Sequence, residues 1–584
     1  MNVIVPVIPD TAPFTLEQRA WLNGYLAGLM ARGPVNPVAA GAASKGSAPA
    51  TLKSLTILFG SQTGTCEGLA KRAAKEAGKR GFAATVMDMA AFTPAQLAQE
   101  KNVLVIVSTY GDGEPPDSVK PFHAALGTEG APVLTGLRFS VCALGDTNYP
   151  MFCQCGKDFD ARLEKLGGTR VNPRADCDLD HDEIFTKWLD AALGTFGIDP
   201  AGAGLSRDSA PSSRDKPVPA AEETGYTRKR PFPALLLTSR NLNGPGSGKQ
   251  VHHVEFDLAG SGLKYEAGDA LGIVPLNCPA HVADVLAALG SDGEEAVPGP
   301  DGSSLPLRRA LTECYDLGKP SAELLALCNV SSGGGIAVAL HHVVDVLAAR
   351  PGLKLASTDF VRALKKIQPR LYSISSSPKA HDGQVHLTVG AVRYEKDGRA
   401  RKGVCSTFLA ERATVGETKV GVFVHSNNAF RPPASGDTPM IMVGPGTGIA
   451  PFRAFLHERR ATAARGKNWL FFGDQRAASD FLYREELAAL KTEGLLTRLD
   501  LAFSRDQEEK IYVQQRMLEN ATELFAWLED GAHFYVCGDA ARMAKDVDVA
   551  LHKVVEMAAN KSATEAAAYV QALRTAKRYQ RDVY

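Results

Sequence analysis

The sequence predicts a multidomain protein in which two open α/β sheets flank a β-barrel. A chain of 584 residues is too long for one hydrophobic core, so several domains are expected. Short apolar runs alternate with helical patterns towards both ends of the chain, which is typical of parallel sheets. Between these regions, apolar and polar residues alternate with the period of antiparallel strands.

The bulk composition is that of an ordinary globular protein, with 45% hydrophobic and 22% charged residues. The 65 basic and 65 acidic residues cancel, which gives no indication of nucleic acid or a membrane surface as a partner. The 10 cysteines show no C-x-x-C spacing, so we expect reduced thiols in a cytoplasmic protein, without a bound metal or iron–sulfur cluster. No basic segment precedes the first short apolar run, so neither a signal peptide nor a membrane anchor is expected.

Residues 1–50 form a separate N-terminal segment. Thr15 and Gln18 fit a capping box, and apolar residues from Trp21 to Met30 then fall on one helical face. A Gly-Pro pair ends the predicted helix, and a flexible stretch of small residues follows. Because a lone helix of this length cannot bury its apolar face, it either packs on its own domain or docks another chain.

Residues 51–200 predict the first open α/β domain. The apolar runs LTILFG, ATVMDM, VLVIVST and FSVCALG are typical of buried parallel strands. Three of them lead into polar loops, and such loops meet in one crevice beyond the carboxyl ends of the strands. The first loop opens a helix, whose N-terminal N–H groups suit a phosphate. The candidate binding residues are Ser61, Gln62, Thr63, Gly64, Thr65, Cys66, Ser108, Thr109, Tyr110, Gly111, Leu144, Gly145, Asp146, Thr147, Asn148, Tyr149 and Cys153.

Two kinds of side chain indicate what this crevice would hold and meet. Tyr110 and Tyr149 are placed to stack on the faces of a flat aromatic ring. Acidic residues nearby form a negative rim that suits a basic partner. These rim residues are Asp112, Glu114, Asp117 and Asp146. The first loop contains no Lys or Arg, so it is not a Walker loop.

Three further segments complete the predicted organisation. Residues 201–225 are small, polar and rich in proline, which predicts a linker. Residues 226–435 contain VHHVEFDLA, QVHLTVGAVRYE and TKVGVFVH, which predict a β-barrel, with a helical insert at about 278–368. Residues 436–584 contain MIMVG, WLFFG, RLDLAFS and HFYVCG, which predict the strands of a second open α/β domain.

The three loops of the first domain resemble the flavodoxin-like FMN module of diflavin reductases. In the second half, Arg370, Leu371, Tyr372 and Ser373 resemble the R-x-Y-S FAD motif of the ferredoxin–NADP⁺ reductase superfamily. In that motif Arg forks onto the pyrophosphate and Tyr covers the flavin ring. The same resemblance implies further contacts to the adenine and pyrophosphate. These would come from Thr388, Val389, Gly390, Tyr394, Gly403, Val404, Cys405 and Ser406.

The segment GPGTGIAPFR closely resembles the NADP pyrophosphate loop of that superfamily, with Gly446 and Thr447 as contacts. It departs from the G-x-G-x-x-G fingerprint, because Ala450 and Pro451 interrupt it. Cations and hydroxyls after RLDLAFS suit the 2′-phosphate of NADPH, where an NADH site would tend to carry an acidic residue. The residues concerned are Ser504, Arg505, Lys510, Ile511, Tyr512, Val513 and Gln514, with Asp546 added by resemblance.

The resemblance also implies a catalytic group. In this superfamily a terminal aromatic residue stacks on the FAD ring and moves before nicotinamide approaches, a role that falls here on Tyr584. Ser373, Cys537 and Asp582 would surround flavin N5 and nicotinamide C4. Their role would be orientation and charge stabilisation during hydride transfer, with no covalent catalysis.

The resemblance extends from about Leu52 to Tyr584 and is greatest to the flavoprotein alpha subunits of assimilatory sulfite reductases. It implies electron flow from NADPH to FAD, then FMN, then a haemoprotein beta subunit with sirohaem and an iron–sulfur cluster, where sulfite becomes sulfide in sulfur assimilation and cysteine biosynthesis. It also favours a homo-oligomer or partner docking through the N-terminal helix. Two alternatives stay open: a diflavin reductase for another acceptor, such as nitrate reductase or a soluble monooxygenase, and a non-catalytic flavin-binding scaffold.

Overall fold

The computed structural model describes residues 53–61, 64–110, 113–147, 151–178, 181–197, 225–330, 342–396 and 398–584. Residues from Lys53 to Tyr584 form one unit. The predicted N-terminal helix and almost all of the predicted linker lie outside the described residues. So do six residues of the predicted loops and rim, which are Gln62, Thr63, Gly111, Asp112, Asn148 and Tyr149.

The first domain is a parallel α/β sheet. Its strands are β1 (Lys53–Gly60), β2 (Phe82–Asp88), β3 (Asn102–Ser108), β4 (Arg138–Leu144), β5 (Thr169–Arg170) and β6 (Ala175–Cys177). Its helices are α1 (Thr65–Lys79), α2 (Pro94–Leu97), α3 (Lys120–Ala125), α4 (Gln154–Lys165) and α5 (Asp182–Gly197), with 3₁₀ turns at Met89–Ala91 and Asp117–Val119.

The strands of this sheet follow the order β2-β1-β3-β4-β5, with β6 also beside β4. This flavodoxin-like order places the topological switch point between β1 and β3. Strand β3 is buried at every position from Val103 to Val107, because helices cover both faces of the sheet. The four predicted strands are confirmed; the short strands β5 and β6 were not predicted.

The described residues between 225 and 435 contain ten strands. They are β7 (Phe232–Asn241), β8 (Val251–Asp257), β9 (Ala270–Val274), β10 (Ala296–Pro298), β11 (Ser304–Pro306), β12 (Arg370–Ser373), β13 (Gln384–Gly390), β14 (Arg393–Lys396), β15 (Arg399–Lys402) and β16 (Lys419–His425). Six of them form an antiparallel sheet in the order β12-β9-β16-β7-β8-β13. A bridge between Ile374 and Leu387 joins the two edges and closes the barrel. The predicted run QVHLTVGAVRYE is divided between β13 and β14.

The predicted helical insert is confirmed between β9 and β12. It contains α6 (Pro279–Leu289), α7 (Leu307–Glu313), α8 (Ala322–Leu327), α9 (Val343–Ala348) and α10 (Ser357–Arg362). These helices bury their apolar faces in a core of their own. The β10–β11 hairpin inside the insert was not predicted. After β15 follow α11 (Val404–Thr407) and a π-helical turn at Phe408–Arg412.

The C-terminal domain is a second parallel sheet, in the order β19-β18-β17-β20-β21. These strands are β17 (Met440–Val443), β18 (Asn468–Asp474), β19 (Arg498–Phe503), β20 (His533–Gly538) and β21 (Tyr579–Val583). Its helices are α12 (Ala450–Ala461), α13 (Ala477–Asp480), α14 (Arg484–Thr492), α15 (Val513–Glu519), α16 (Ala521–Glu529), α17 (Met543–Ala559) and α18 (Ala563–Thr575), with a 3₁₀ turn at Gly446–Ile449. The four predicted strands are confirmed, whereas β21 was not predicted. Each helix in the described ranges is too short or too polar to cross a bilayer.

Candidate active site

The crevice of the first sheet begins at the switch point between β1 and β3. Gly64 precedes α1 with φ +91°, a left-handed conformation that favours glycine. The Ser61 hydroxyl accepts hydrogen bonds from the N–H groups of Gly64 (2.9 Å) and Cys66 (3.2 Å), which fixes the turn. The N-cap residue Gly64 adds no side-chain cap here, and a helix N-terminus of this kind suits an anion such as a phosphate.

The loops after β3 and β4 are tied together beside this turn. The N–H of Thr109 donates to the Leu144 carbonyl at 2.8 Å, and the N–H of Cys155 donates to Thr109 Oγ1 at 3.2 Å. The Thr147 hydroxyl donates to the Asp178 carboxylate at 2.6 Å. The described part of the three predicted loops therefore converges on one crevice.

Two predicted residues, Cys66 and Cys153, lie beneath the crevice as fully buried thiols. Burial raises the pKa of each thiol to about 12, so both are neutral near pH 7. A Cβ on Gly145 would stand 2.8 Å from the backbone nitrogen of Cys153, so this close approach requires glycine. The geometry makes these thiols packing groups and not nucleophiles.

Tyr110 extends from the first domain onto the core of the C-terminal domain. Its hydroxyl donates to the Val583 carbonyl at 2.9 Å and accepts from the Val583 N–H at 3.0 Å. Two reciprocal backbone hydrogen bonds of 2.8 Å with Glu114 hold the loop that presents it. Desolvation raises the pKa of the Tyr110 phenol. No local sequence pattern predicts this contact with the terminal strand.

Two of the predicted rim residues also face the C-terminal domain. Glu114 pairs with Lys120 (2.7 Å) and Lys545 (3.3 Å). Asp117 pairs with Lys120 (3.1 Å) and with Arg581. The hydrogen bond from Lys120 lowers the pKa of Glu114. This part of the rim therefore lies against the second α/β sheet.

A cavity of about 1150 Å³ opens between the barrel, the insert and the first domain. It exceeds the roughly 300–1,000 Å³ typical of ligand pockets, which suits an extended dinucleotide. Four predicted FAD residues line it, which are Arg370, Tyr394, Gly403 and Val404. Thr147 and Asp178 of the first domain line it as well, so the crevice and the cavity are neighbours.

Arg370 fits an anion in this cavity. Its guanidinium donates to the carbonyl of Gln368 at 2.8 Å, and it has no carboxylate partner in the described part of the chain. By contrast, Arg401 and Arg399 are held by Asp345 at 2.7 and 3.3 Å. Arg370 is thus a cation left free to pair with a pyrophosphate.

Several other predicted FAD residues have side chains that face away from the cavity. Thr388 shares a hydrogen bond of 2.8 Å with the Tyr483 hydroxyl, and Val389 belongs to the barrel core. The Ser406 hydroxyl accepts from the Val392 N–H at 3.1 Å. Their contribution to a ligand would therefore come from the backbone or from support of the loop.

Tyr372 and Cys405 follow cavity-lining residues along the chain: Tyr372 comes two positions after Arg370, and Cys405 comes directly after Gly403 and Val404. Burial raises the pKa of the Tyr372 phenol and raises that of the Cys405 thiol to about 12. A Cβ on Gly403 would stand 2.7 Å from Ser406 Oγ, so this turn requires glycine. Leu371, between Arg370 and Tyr372, is exposed.

Ser373, Cys537 and Asp582 converge from the barrel and from two adjacent strands. The Ser373 hydroxyl donates to Asp582 Oδ2 at 2.6 Å, and Cys537 Sγ lies 4.0 Å from the same oxygen. The register of β20 and β21 places Cys537 beside Asp582. Asn427 Nδ2 reaches Asp582 Oδ1 at 3.4 Å. The structure therefore brings the three predicted catalytic residues together and adds Asn427, which sequence reasoning missed.

Burial controls the charge of this group. Desolvation raises the pKa of Asp582, an effect that the hydrogen bond from Ser373 partly offsets. Desolvation also raises the pKa of the Cys537 thiol, which keeps it protonated. A buried carboxylate with a hydroxyl donor and a neutral thiol beside it is suited to stabilising charge on a ligand. It is not suited to nucleophilic attack.

The glycine-rich loop after β17 lies directly against this group. Gly446 has φ +59°, and a Cβ on Gly448 would stand 2.1 Å from the Cys537 carbonyl oxygen. Thr447 and the terminal Tyr584 share a hydrogen bond of 2.8 Å between their hydroxyls. Glycine is therefore required for the loop to approach β20 so closely.

Comparisons with known proteins assign the three parts. The Flavodoxin family model matches residues 57–188, the FAD binding domain model residues 225–298 and 336–408, and the Oxidoreductase NAD-binding domain model residues 442–548. The sulfite reductase [NADPH] flavoprotein alpha-component of Bacillus subtilis is 44% identical over 100% of this chain and 97% of its own length. That of Vibrio vulnificus is 43% identical over 99% and 94%.

The chain belongs to the family of these flavoprotein alpha-components. The relative from Cronobacter sakazakii, 39% identical over 100% of this chain and 99% of its own length, supports the same assignment. The chain is a flavoprotein oxidoreductase with flavodoxin, FAD-binding and nicotinamide-nucleotide domains, which confirms the fold class that the sequence predicted. The binding roles of single residues stay predictions.

The cations predicted for a 2′-phosphate lie on an exposed loop of this flavoprotein after β19. Arg505 and Lys510 are exposed, and neither has a carboxylate partner among the described residues. The backbone beneath them is fixed, because the N–H of Ser504 donates to the Asp474 carbonyl (2.9 Å) and that of Arg505 to the Gln475 carbonyl (2.8 Å). Free cations on a fixed loop suit a phosphate dianion.

The segment after this loop divides between surface and core. Ile511 packs at the edge of the core of the C-terminal domain, and Val513 is buried in it. Tyr512 is exposed. Gln514 Nε2 lies 3.4 Å from Asp546 Oδ2, so these two predicted residues are adjacent. Ile511 and Val513 therefore support the loop and do not present side chains to a ligand.

Proposed function

We propose that this flavoprotein is an NADPH-dependent diflavin reductase that supplies electrons to the haemoprotein subunit of an assimilatory sulfite reductase. One observation carries the proposal. The Ser373–Cys537–Asp582 group has the glycine-rich nucleotide loop on one side. Ser373 ends the strand that begins at Arg370, and Arg370 lines the large cavity. Thr147 and Asp178 of the flavodoxin-type domain line the same cavity. The relatives that cover the whole chain are named as the flavoprotein components of such reductases.

Three binding segments follow from this proposal. Residues 51–200 hold FMN, residues 226–435 hold FAD and residues 436–584 hold NADPH. The open end of α1 at Gly64 fits the FMN phosphate, and the free guanidinium of Arg370 fits the FAD pyrophosphate. The free cations Arg505 and Lys510 fit the 2′-phosphate that distinguishes NADPH from NADH.

When bound, the nicotinamide and the two flavins supply the redox chemistry that turns a two-electron donor into single-electron steps. The protein supplies position and electrostatics. Asp582 holds negative charge in a buried place and Ser373 keeps its carboxylate oriented through the 2.6 Å hydrogen bond. Thr447 holds the Tyr584 ring across the nucleotide loop, so this ring has to turn aside when nicotinamide enters.

We propose that the acidic first domain and residues 1–50 provide the surfaces that contact partner proteins. The haemoprotein beta subunit would meet the acidic rim when this domain leaves the C-terminal sheet, and the N-terminal segment would join copies of the chain or dock the partner. Opposite charges on the two surfaces would speed their encounter and make it sensitive to salt.

The test is reconstitution with the haemoprotein subunit. Purified chain, haemoprotein, NADPH and sulfite should give sulfide at a rate that depends on all four. NADPH turnover with ferricyanide should persist without the haemoprotein. Ferricyanide turnover without sulfide would indicate a diflavin reductase for another acceptor. Absence of both activities, with flavin bound, would indicate a scaffold subunit and contradict the proposal.

A further inference from the structure

The last four residues of the chain connect the first domain to the catalytic group. Arg581 pairs with Asp117 of the first domain, and Val583 bonds the Tyr110 hydroxyl through both its N–H and its carbonyl. The residue between them, Asp582, accepts the hydrogen bond from Ser373. Tyr584 follows and bonds Thr447 of the nucleotide loop. Contacts to the first domain thus alternate along β21 with contacts to the catalytic group.

This alternation follows from strand geometry. Successive side chains of a strand point to opposite faces, so Arg581 and Asp582 are directed apart while their backbone is shared. Strand β21 lies at the edge of the C-terminal sheet and pairs only with β20 in the described sheet. The free edge therefore lacks the second strand partner that would otherwise fix it, and the Tyr110 hydroxyl bonds one of its backbone positions.

The contact is also well buried. The side chains of Asp117 and Arg581 retain 13% and 8% of their exposure. Burial lowers the screening of this ion pair by water, and the removal of one partner leaves the other charge unpaired in a dry interface. Tyr110 adds a ring packed against the same core.

We propose that the docked first domain holds β21 in place for hydride transfer, which makes Asp117 a positioning residue for the Ser373–Asp582 group. The inference rests on the proposed function, because it concerns the transfer from NADPH to FAD. The first domain then has two roles in the docked arrangement: it receives electrons, and it fixes the strand that carries Asp582 and Tyr584. Undocking would loosen that strand and slow the next hydride transfer until the domain returns.

The experiment compares Asp117→Asn with Asp182→Asn in the full-length holoenzyme. Asp182 forms an ion pair with Arg72 at 2.9 Å inside the first domain, so its variant matches the chemical change without touching β21. The first phase of flavin reduction is followed by anaerobic stopped flow at saturating NADPH. The same measurement is made with NADPH that is deuterated at nicotinamide C4. Flavin content confirms that each variant is folded.

Asp117→Asn should slow this first phase about tenfold and raise its isotope effect, because a displacement near 1 Å costs up to about 100-fold in rate. Asp182→Asn should match the wild type. Asp117→Glu, which keeps the charge, and Tyr110→Phe, which keeps the ring, should fall between the two.

An unchanged first phase in Asp117→Asn would overturn the inference. A slower phase with an unchanged isotope effect would also overturn it, since at saturating NADPH that result indicates a slower step other than hydride transfer and not a displaced strand. If the wild type itself shows no flavin reduction by NADPH, the proposed function fails instead.

Discussion

Two buried polar clusters lie along the seam between the barrel and the C-terminal sheet, and they differ in how completely their groups are satisfied. The first consists of the predicted catalytic residues Ser373, Cys537 and Asp582, together with Asn427. The second is a histidine cluster in which the rings of His253, His386, His381 and His457 contact one another in that order. The centroids of neighbouring rings lie 4.2–5.1 Å apart. Burial shifts pKa values in both clusters.

Seven of the eight ring nitrogens in the histidine cluster have hydrogen-bond partners in the protein. His253 bonds the Tyr483 hydroxyl at 3.0 Å and Glu255 at 2.9 Å. His386 accepts from Arg453 at 3.3 Å. Ligand atoms of His253, Glu255 and His386 lie within 4.8 Å of one another, as in a metal site. The Arg453 guanidinium occupies the imidazole lone pair and opposes a cation there.

The predicted catalytic group retains unsatisfied hydrogen-bond acceptors. Asp582 Oδ1 has only the 3.4 Å contact with Asn427, and Asn427 Oδ1 is buried without a partner among the described residues. The comparison teaches that burial and a shifted pKa do not by themselves mark a catalytic site. Unused hydrogen-bonding capacity is the feature that separates the two clusters.

The sharpest test of this comparison changes one residue in each cluster. Asp582→Asn should lower the rate of flavin reduction by NADPH about 100-fold, because it removes a preorganised charge. His386→Asn should leave that rate close to the wild type. Both rates come from anaerobic stopped flow on variants with normal flavin content. Equal losses would mean that the histidine cluster takes part in catalysis.

A second prediction concerns Arg505, a cation without a carboxylate partner among the described residues, on the loop after β19. Arg505→Ala should raise KM for NADPH about 10- to 100-fold and leave kcat and the NADH reaction unchanged, since it removes hydrogen bonds to a charged group. Arg460 is exposed and paired with Glu493 at 3.0 Å, so Arg460→Ala is the matched control. Steady-state ferricyanide assays supply both constants. A loss of kcat with KM unchanged would count against a 2′-phosphate role.

The third prediction concerns the stability that the histidine cluster contributes. Burial lowers the pKa of His253 to about 4 and that of His386 to about 2, against an ordinary value of about 6.5. Below about pH 6.5 the unfolded chain takes up protons first, so the folded state loses stability as pH falls. Urea unfolding followed by circular dichroism should show this loss between about pH 6.5 and about pH 5.

His386→Asn should lessen that loss by about 2 kcal/mol, the linkage contribution of one histidine over this interval. The control is Asp582→Asn, whose unfolding should keep the histidine-dependent slope. An identical slope in His386→Asn and the wild type would show that this imidazole titrates normally.

The smallest expected effect concerns the terminal ring. Tyr584→Phe removes the 2.8 Å hydrogen bond to Thr447 and keeps the aromatic surface. Because one exposed hydrogen bond contributes about 0.5 kcal/mol, KM for NADPH should fall about twofold as the ring turns aside more easily. Thr447→Val should give the same change if the bond is responsible. A rise in KM would mean that the hydroxyl binds the nucleotide.

Much of the fold could be predicted from the sequence because periodicity reports burial directly. The run VLVIV is apolar at every position, which is typical of a strand in a sheet covered on both faces. Strand β21 was not predicted, because RYQRDVY has no apolar run and owes its conformation to pairing with β20. The strand conformation of this segment therefore depends on tertiary contacts and not on its local sequence.

The candidate site was predicted as far as motifs extend along the chain. Ser373, Cys537 and Asp582 were named from separate segments, and the structure brings them within hydrogen-bonding range. Asn427 and the contact of Tyr110 with Val583 were missed. Both depend on loops that come into contact only when the domains pack together, and a local sequence pattern does not predict such contacts.

The proposed function requires one chain to carry electrons from NADPH through FAD to FMN. The most direct measurement is the flavin content of the purified protein by HPLC, combined with anaerobic titration with NADPH. We expect one FAD and one FMN per chain, both reduced by NADPH, with far slower reduction by NADH. A single flavin, or two flavins that NADPH does not reduce, would contradict it.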